Sequence, residues 1–202
     1  MNFETLGVLF FAYIMGSINS AILICWAFRL PSPRSVGSGN PGTTNVLRIG
    51  GKVPAALTLL FDLLKGLIPV VIAKALGANE FIVAFTALYA VLGHVFPIFF
   101  GFKGGKGVAT LIGVLFGFCW IIGLIFVLTW FIVAAITRYS SLSALVATVV
   151  ASCSVIFFVS LKVATPFLAI AAIVLIKHKD NIKRLLNGEE SKIGDKAKKQ
   201  EG

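Results

Sequence analysis

A glycine-rich segment near the start of the chain combines backbone freedom with neutral hydrogen-bond donors and two arginines. Residues 34–48 read Arg-Ser-Val-Gly-Ser-Gly-Asn-Pro-Gly-Thr-Thr-Asn-Val-Leu-Arg. Glycines let backbone N–H groups converge on an anion, and a guanidinium can donate two parallel hydrogen bonds to phosphate. The composition therefore fits a phosphate site and a solvated turn equally well.

The same segment matches G-x-G-x-x-G at residues 37, 39 and 42, and Asp62 follows twenty residues later. This spacing occurs in dinucleotide-binding proteins, where a β-strand precedes the glycines inside a βαβ unit. Here an apolar segment long enough to span a membrane precedes them. We therefore reject a dinucleotide site.

A second glycine-rich turn carries two lysines, in the order Lys103-Gly-Gly-Lys-Gly107. It is not a P-loop, because Phe100 replaces the first glycine and Gly107 replaces the required Ser or Thr. An apolar helix is expected to follow, and its first N–H groups favour an anion. We predict that this turn binds phosphate; lysines that merely mark the inner face are the alternative.

Polar residues elsewhere are few. His178 and Asn181 are three residues apart and share one face of a helix, and Ser141 lies between two apolar segments. Asp62 and Lys65 have the same spacing inside an apolar segment, which favours a buried structural pair. The predicted inner-face loops contain no acid before Asp180. A Ser-His-Asp triad, paired catalytic carboxylates and a metal site are therefore not expected.

The composition identifies the elements that must position these residues. The chain has 202 residues, of which 58% are apolar and 13% charged, and its mean hydropathy is +0.97. These values predict an all-α integral membrane protein rather than a soluble domain. The net charge of +10 is weak evidence for nucleic-acid binding, because the basic residues lie in short loops and the tail. The apolar segments are residues 5–28, 53–73, 81–102, 108–137, 139–161 and 163–176.

The number of spans depends on the 108–137 segment. If it turns near residues 117–123 and the last segment also spans, the bundle has seven helices, with the N-terminus outside and the C-terminus cytoplasmic. If neither holds, the bundle has five. Both arrangements place fifteen of the 18 basic residues inside, so the positive-inside rule fixes the orientation and leaves the number open. The two arrangements place Arg138 on opposite sides. We expect one membrane domain over residues 1–187 and a polar Lys-rich tail over residues 188–202.

Three motifs occur in order along the chain. They are Gly37-Ser-Gly-Asn-x-Gly-x-Thr-Asn-x-x-Arg48, then Gly93-His-x-x-Pro with Gly101-Phe-Lys-Gly-Gly-Lys-Gly-Val-Ala-Thr110, and last His178-x-x-Asn181-x-x-Arg184-Leu-x-x-Gly-x-Glu190. Together they resemble the bacterial acyl-phosphate:glycerol-3-phosphate acyltransferase family over nearly the whole chain. One departure is Asn19, where the resemblance leads us to expect proline.

The resemblance implies the reaction. A fatty acyl group moves from acyl phosphate to the sn-1 hydroxyl of glycerol 3-phosphate, which gives lysophosphatidic acid and inorganic phosphate. It further implies seven helices in the bacterial inner membrane, a site open to the cytoplasm, and no metal or cofactor. We expect a monomer whose partners are the two substrates and the bilayer, and no nucleic acid.

Matching motif positions assigns site residues. Those expected in catalysis are Ser38, Arg48, Lys106, Ser141, His178 and Asn181. Those expected to bind substrate or phosphate are Asn40, Thr44, Asn45, Lys103, Gly104, Gly105 and Gly107. Glu190 is expected to hold the last motif in place rather than to act as a base.

Two other function classes fit part of the pattern. A transporter of a phosphorylated solute also needs cationic glycine-rich segments, but transport sites usually lie near the bilayer midplane on broken helices. An alcohol phosphotransferase would need an aspartate-rich metal motif, which the sequence lacks. Clustering of both loops at one face favours the acyltransferase.

Overall fold

The computed structural model describes residues 3–194, and the regular secondary structure in that range is helical. Between these limits it contains ten α-helices, one 3₁₀ turn at Ile98–Phe100 and no β-strand. The expected all-α class is confirmed. The helices are α1 (Phe3–Gly16), α2 (Ser20–Ala27), α3 (Thr43–Gly50), α4 (Lys52–Ala75), α5 (Glu80–Val95), α6 (Val108–Phe118), α7 (Trp120–Thr137), α8 (Ser140–Phe158), α9 (Leu161–Lys177) and α10 (Lys179–Leu186).

Several of the helices have the length and composition of membrane spans. Within residues 3–194, four helical segments are long and apolar enough to cross a membrane, or up to six if each of two bent helix pairs is one span. The helix α7 also exposes large apolar side chains along its length, which suits a lipid-facing surface. They are Trp120, Leu128, Phe131, Ile132 and Ile136.

The long apolar stretch at 108–137 divides into two helices at Cys119, inside the interval expected for a turn. Lys74 of α4 reaches the end of α6, and its ammonium donates hydrogen bonds to the carbonyls of Gly117 and Phe118, at 3.4 and 3.0 Å. The last carbonyls of a helix lack partners within it. The Lys74 ammonium therefore supplies the hydrogen-bond donors that these two carbonyls lack at the break.

The bundle contains two bent helix pairs. The helices α1 and α2 meet at 41°, and Asn19 in the break accepts a hydrogen bond from the Ile22 N–H at 3.1 Å. Asn19 is thus the N-cap of α2, so the chain bends here without the expected proline. Helices α9 and α10 meet at 60° around His178. Both bends lie near Phe96, because Tyr13 of α1 donates a hydrogen bond to its carbonyl and Lys177 of α9 lies over its ring.

Helix α5 lies at the centre, packed against α1, α4, α6 and α9. Glycine allows close contact where it meets α1, because a Cβ on Gly93 would lie 2.2 Å from the Tyr13 carbonyl oxygen. Helices α4 and α6 meet in the same way at Gly66 and Gly113. Close contact of this kind stabilises helices in lipid, where the hydrophobic effect does not hold them together.

Candidate active site

The first glycine-rich loop is shaped by one buried amide. The side chain of Asn45, on α3, accepts a hydrogen bond from the Ser38 N–H at 2.9 Å and donates to the carbonyls of Pro33 and Val36. Asn45 is 1% exposed. Its amide is therefore engaged in holding the loop that presents Ser38.

Arg34 ties this loop to the second one. Its guanidinium donates hydrogen bonds to the carbonyls of Phe100, at 2.9 Å, and Lys103, and it lies 5.7 Å from the centre of the Phe100 ring. The two phosphate-binding candidates thus form one surface. Pro41 also contacts the second loop, because its carbonyl oxygen lies 3.0 Å from where a Cβ on Gly105 would be.

The second loop returns to the end of α5 before α6 begins. The N–H groups of Gly104 and Gly105 donate to the carbonyls of Val95 and His94, at 3.1 and 3.3 Å. Gly107 has φ +89°, a conformation that side chains rarely adopt, and it directly precedes α6. Lys106, between these glycines, extends to the last motif and donates a hydrogen bond to the side-chain oxygen of Asn181.

Glu190 gathers the side chains of the last motif. Its carboxylate accepts hydrogen bonds from Ser141 at 2.7 Å, from Asn181 at 2.6 Å and from Arg184 at 2.7 Å. We call Lys106, Ser141, Asn181, Arg184 and Glu190 the Glu190 cluster. It joins the second loop, the start of α8 and the helix α10, as the expected role of Glu190 requires.

The segment that follows Glu190 packs across the same end of the bundle. Ser191 accepts a hydrogen bond from the Arg48 guanidinium at 2.9 Å. The Ile193 N–H donates a hydrogen bond to the Arg138 carbonyl at 2.7 Å, and the Arg138 guanidinium donates one to the Ile193 carbonyl at 3.0 Å. Residues 188–194, assigned to the tail on sequence, therefore contact the site, and residues 195–202 lie outside the described part of the chain.

The surroundings of two members of the cluster shift their pKa values. Burial lowers the pKa of Lys106 to about 8. Burial alone would raise the pKa of Glu190, but hydrogen bonds from Ser141, Asn181 and Arg184 hold it below its usual value. At neutral pH the cluster thus contains a charged ammonium and a carboxylate that binds protons weakly.

His178 has a defined tautomer. Its Nδ1 lies 2.8 Å from the Val174 carbonyl oxygen, and a carbonyl only accepts, so Nδ1 carries the proton. In the neutral ring Nε2 is then a hydrogen-bond acceptor. The side chain is 3% exposed, at the bend between α9 and α10.

Four of the expected site residues, one predicted as catalytic and three as binding, stand apart from the Glu190 cluster. The side chains of Ser38, Thr44 and Lys103 are exposed, and that of Asn40 is half-buried. Across residues 3–194, none of the four has a side chain that hydrogen-bonds to a member of the cluster. The structure therefore brings together Lys106, Ser141 and Asn181, with Arg48 adjacent through Ser191.

Comparison with known proteins identifies the family. The sequence model of the glycerol-3-phosphate acyltransferase family matches residues 6–188. A glycerol-3-phosphate acyltransferase of Francisella tularensis subsp. novicida (strain U112) is 77% identical over 198 residues, which are 98% of this chain and 97% of the relative. The chain belongs to the glycerol-3-phosphate acyltransferase family. The counterpart from Francisella philomiragia subsp. philomiragia is 76% identical over the same length.

Solved structures of an acyltransferase of this family have the same fold. The crystal structure of PlsY (YgiH), an integral membrane glycerol 3-phosphate acyltransferase, matches in its glycerol 3-phosphate form with a TM-score of 0.89 and 40% identity. That match covers 95% of this chain and 96% of the other. The lysophosphatidic acid form matches with a TM-score of 0.86 and 39% identity. This chain is accordingly a multi-pass integral membrane acyltransferase.

Three polar residues of this acyltransferase contact the site but were not among the site residues assigned from the sequence. Arg34 joins the two loops, Ser191 contacts Arg48, and His94 lies directly beneath Gly105, with its Nε2 2.3 Å from where a Cβ would be. For His94 the available signal was its place in the second motif, Gly93-His-x-x-Pro. For the other two, no signal in the sequence indicated the partner.

Proposed function

We propose that this acyltransferase moves a fatty acyl group from acyl phosphate to the sn-1 hydroxyl of glycerol 3-phosphate, giving lysophosphatidic acid and inorganic phosphate. This is the first acylation of phospholipid biosynthesis. The observation that carries the proposal is the Glu190 cluster. It holds two cations and one fully hydrogen-bonded carboxylate, with Arg48 adjacent, and so has positive charge available for phosphate groups.

The acceptor, glycerol 3-phosphate, binds at Lys106 and Asn181. Their mutual hydrogen bond supports this assignment, because it places an ammonium beside an amide that can donate to phosphate or hydroxyl oxygens. Ser141 shares the partner of Asn181 and contributes a hydroxyl. The Nε2 of His178 accepts a hydrogen bond from a substrate hydroxyl and orients it.

The donor, acyl phosphate, binds at the first loop. Ser38 and Arg48 hold its phosphate and the reacting carbonyl, and Asn40, Thr44 and Asn45 complete the loop. Support comes from the exposure of Ser38 and from Arg48, which Ser191 holds at the same end of the bundle. Gly104, Gly105 and Gly107 let the backbone of the second loop approach, and Lys103 assists with charge. The acyl chain extends along the apolar surface of the bundle.

The chemistry needs no protein nucleophile. Acyl phosphate is a mixed anhydride, so the sn-1 oxygen attacks the acyl carbon, the bond from that carbon to the phosphate oxygen breaks, and phosphate leaves. A phosphate oxygen of the substrate takes the hydroxyl proton. Glu190 is a poor base for this step, because its three hydrogen bonds stabilise the carboxylate. The protein contributes orientation and charge stabilisation, without a covalent intermediate, metal or cofactor.

The proposed topology has seven spans, with the N-terminus outside and the site facing the cytoplasm at the bacterial inner membrane. The contact of Arg138 with Ile193 supports seven rather than five, because it keeps Arg138 on the side of the basic C-terminal segment. The division of residues 108–137 at Cys119 also supports it. We further propose one acyltransferase domain that works as a monomer, and a cytoplasmic Lys-rich tail. Because Glu190 and Ser191 contact site residues, the domain extends past the end expected at residue 187.

The test is phosphate release by purified protein in detergent or lipid. The protein receives palmitoyl phosphate with and without glycerol 3-phosphate, and palmitoyl-CoA as the control donor. We expect phosphate release that requires glycerol 3-phosphate and equals the lysophosphatidic acid formed. Activity with the CoA thioester alone would overturn the donor, and no turnover with either donor in folded protein would overturn the reaction.

A further inference from the structure

A group of charged and polar residues that the proposed reaction does not use lies buried among α4, α5 and α6. The Lys65 ammonium nitrogen is 2.7 Å from the Asp62 carboxylate oxygen Oδ1, and both side chains are at most 5% exposed. The same ammonium donates to the Ile18 carbonyl at 2.8 Å, in the break between α1 and α2. This confirms the structural pair expected from the i,i+3 spacing.

His94 extends the pair toward the second loop. Its Nδ1 lies 3.6 Å from the Asp62 carboxylate and 3.1 Å from the Thr110 hydroxyl, in the first turn of α6. We call Asp62, Lys65, His94 and Thr110 the Asp62 cluster. Each member is at most 6% exposed, and the proposed reaction assigns none of them to a substrate.

The far side of the His94 ring touches the loop that carries Lys106. A Cβ on Gly105 would lie 2.3 Å from His94 Nε2 and 3.0 Å from its Cε1. Any residue larger than glycine would thus push either the ring or the loop. The ring therefore sets how deeply Gly105 lies, and Lys106 is the next residue.

Burying an ion pair costs free energy that well-packed apolar side chains would not. The pair contacts His94, and His94 contacts the loop. We propose that Asp62, Lys65 and His94 are positioning residues, which hold the imidazole under Gly105 and so place the Lys106 ammonium for the substrate phosphate. This rests on the proposed function, in which Lys106 binds glycerol 3-phosphate.

The test is a compensating pair of substitutions. Gly105→Ala raises KM for glycerol 3-phosphate about tenfold, a coupling of the size found between contacting residues. His94→Asn alone raises KM about threefold, since asparagine keeps an oxygen for Thr110 but lacks the atoms near Gly105. The double variant recovers most of the tenfold loss, because the new Cβ enters the space that the ring has left. The remaining contact with Pro41 keeps recovery incomplete.

The matched control is Gly104→Ala. Its Cβ would lie 2.0 Å from the backbone oxygen of His94 rather than from the ring, so His94→Asn rescues nothing there. The proposal is supported if His94→Asn rescues Gly105→Ala and does not rescue Gly104→Ala. The proposal is overturned if the losses from Gly105→Ala and His94→Asn simply add in the double variant. It is also overturned if His94→Asn rescues Gly104→Ala as well as it rescues Gly105→Ala.

The ion pair is tested by Asp62→Leu/Lys65→Met, which replaces both charges with apolar side chains. We expect a thermal unfolding temperature near that of the wild type and KM for glycerol 3-phosphate raised about threefold with kcat little changed. An unchanged KM would remove the pair from the positioning network. Wild-type protein is assayed in parallel. If the wild type does not turn over substrate, the proposed function is contradicted. If the wild type is active but the losses in the variants are additive, only the positioning role of Asp62, Lys65 and His94 is contradicted.

Discussion

The Glu190 cluster and the Asp62 cluster use the same residue types in opposite ways. In the Glu190 cluster, Arg184 is 42% exposed at its side chain and two cations face one carboxylate. In the Asp62 cluster, one lysine faces one aspartate and neither is more than 5% exposed at its side chain. Surplus charge near solvent can bind an anion, whereas balanced charge away from solvent can only hold other groups in place.

The two clusters meet at one short loop. Lys106 belongs to the Glu190 cluster, and the neighbouring Gly105 lies on the ring of His94. The loop thus joins the buried Asp62 cluster to Lys106, the residue proposed to bind glycerol 3-phosphate. Substitutions in the two clusters should accordingly differ in what they change: stability and placement on one side, substrate binding on the other.

The largest effect is expected from separating the buried charges. Asp62→Asn leaves the Lys65 ammonium buried without its counter-charge and lowers the free energy of unfolding by about 3–5 kcal/mol. Chemical denaturation in detergent measures this loss. The double variant Asp62→Leu/Lys65→Met should recover most of it. Wild-type stability in Asp62→Asn would show that the pair does not hold the interior.

Next in size is the removal of a positive charge from the Glu190 cluster. Lys106→Gln keeps a polar side chain, shorter by one bond, but removes the ammonium, and should lower kcat/KM for glycerol 3-phosphate by about 10²–10³-fold. Unfolding should change little. Lys183→Gln on α10 is the control, because this exposed lysine lies outside the Glu190 cluster. Near-full turnover in Lys106→Gln would remove Lys106 from the site.

The KM for glycerol 3-phosphate should depend on pH through Lys106. Lys106 has a pKa of about 8, so it is charged below that pH and loses its proton above it. Since phosphate binding needs the charged form, KM for glycerol 3-phosphate should rise by up to about tenfold per pH unit above 8. Lys106→Arg remains charged throughout and should abolish the rise, whatever its absolute activity. A rise that persists in Lys106→Arg would assign it to another group.

The smallest effect is expected at the edge of the site. Ser191→Ala removes the hydrogen bond from Arg48, in which both partners are exposed, and should lower kcat/KM for palmitoyl phosphate by about two- to fivefold. Ser154→Ala is the control, since that hydroxyl bonds only to its own helix at Val150. A loss as large as that of Lys106→Gln would show that Ser191 itself takes part in substrate binding.

The sequence predicted what local spacing and composition can encode. Both glycine-rich loops, the Asp62–Lys65 pair and the break inside residues 108–137 follow from residues close together in the chain. The roles of Arg34 and His94 were missed, because they arise from contacts made only when helices pack. The expected proline at position 19 was not needed, since Asn19 caps α2.

The central claim is that the Glu190 cluster promotes direct transfer without a protein nucleophile. It is tested by mixing enzyme at substrate-like concentration with palmitoyl phosphate in a rapid-quench apparatus, first without glycerol 3-phosphate. We predict no rapid release of phosphate, and then release that matches lysophosphatidic acid once glycerol 3-phosphate is added. A rapid burst equal to the enzyme concentration before that addition, with palmitate bound covalently to the protein, would contradict the account.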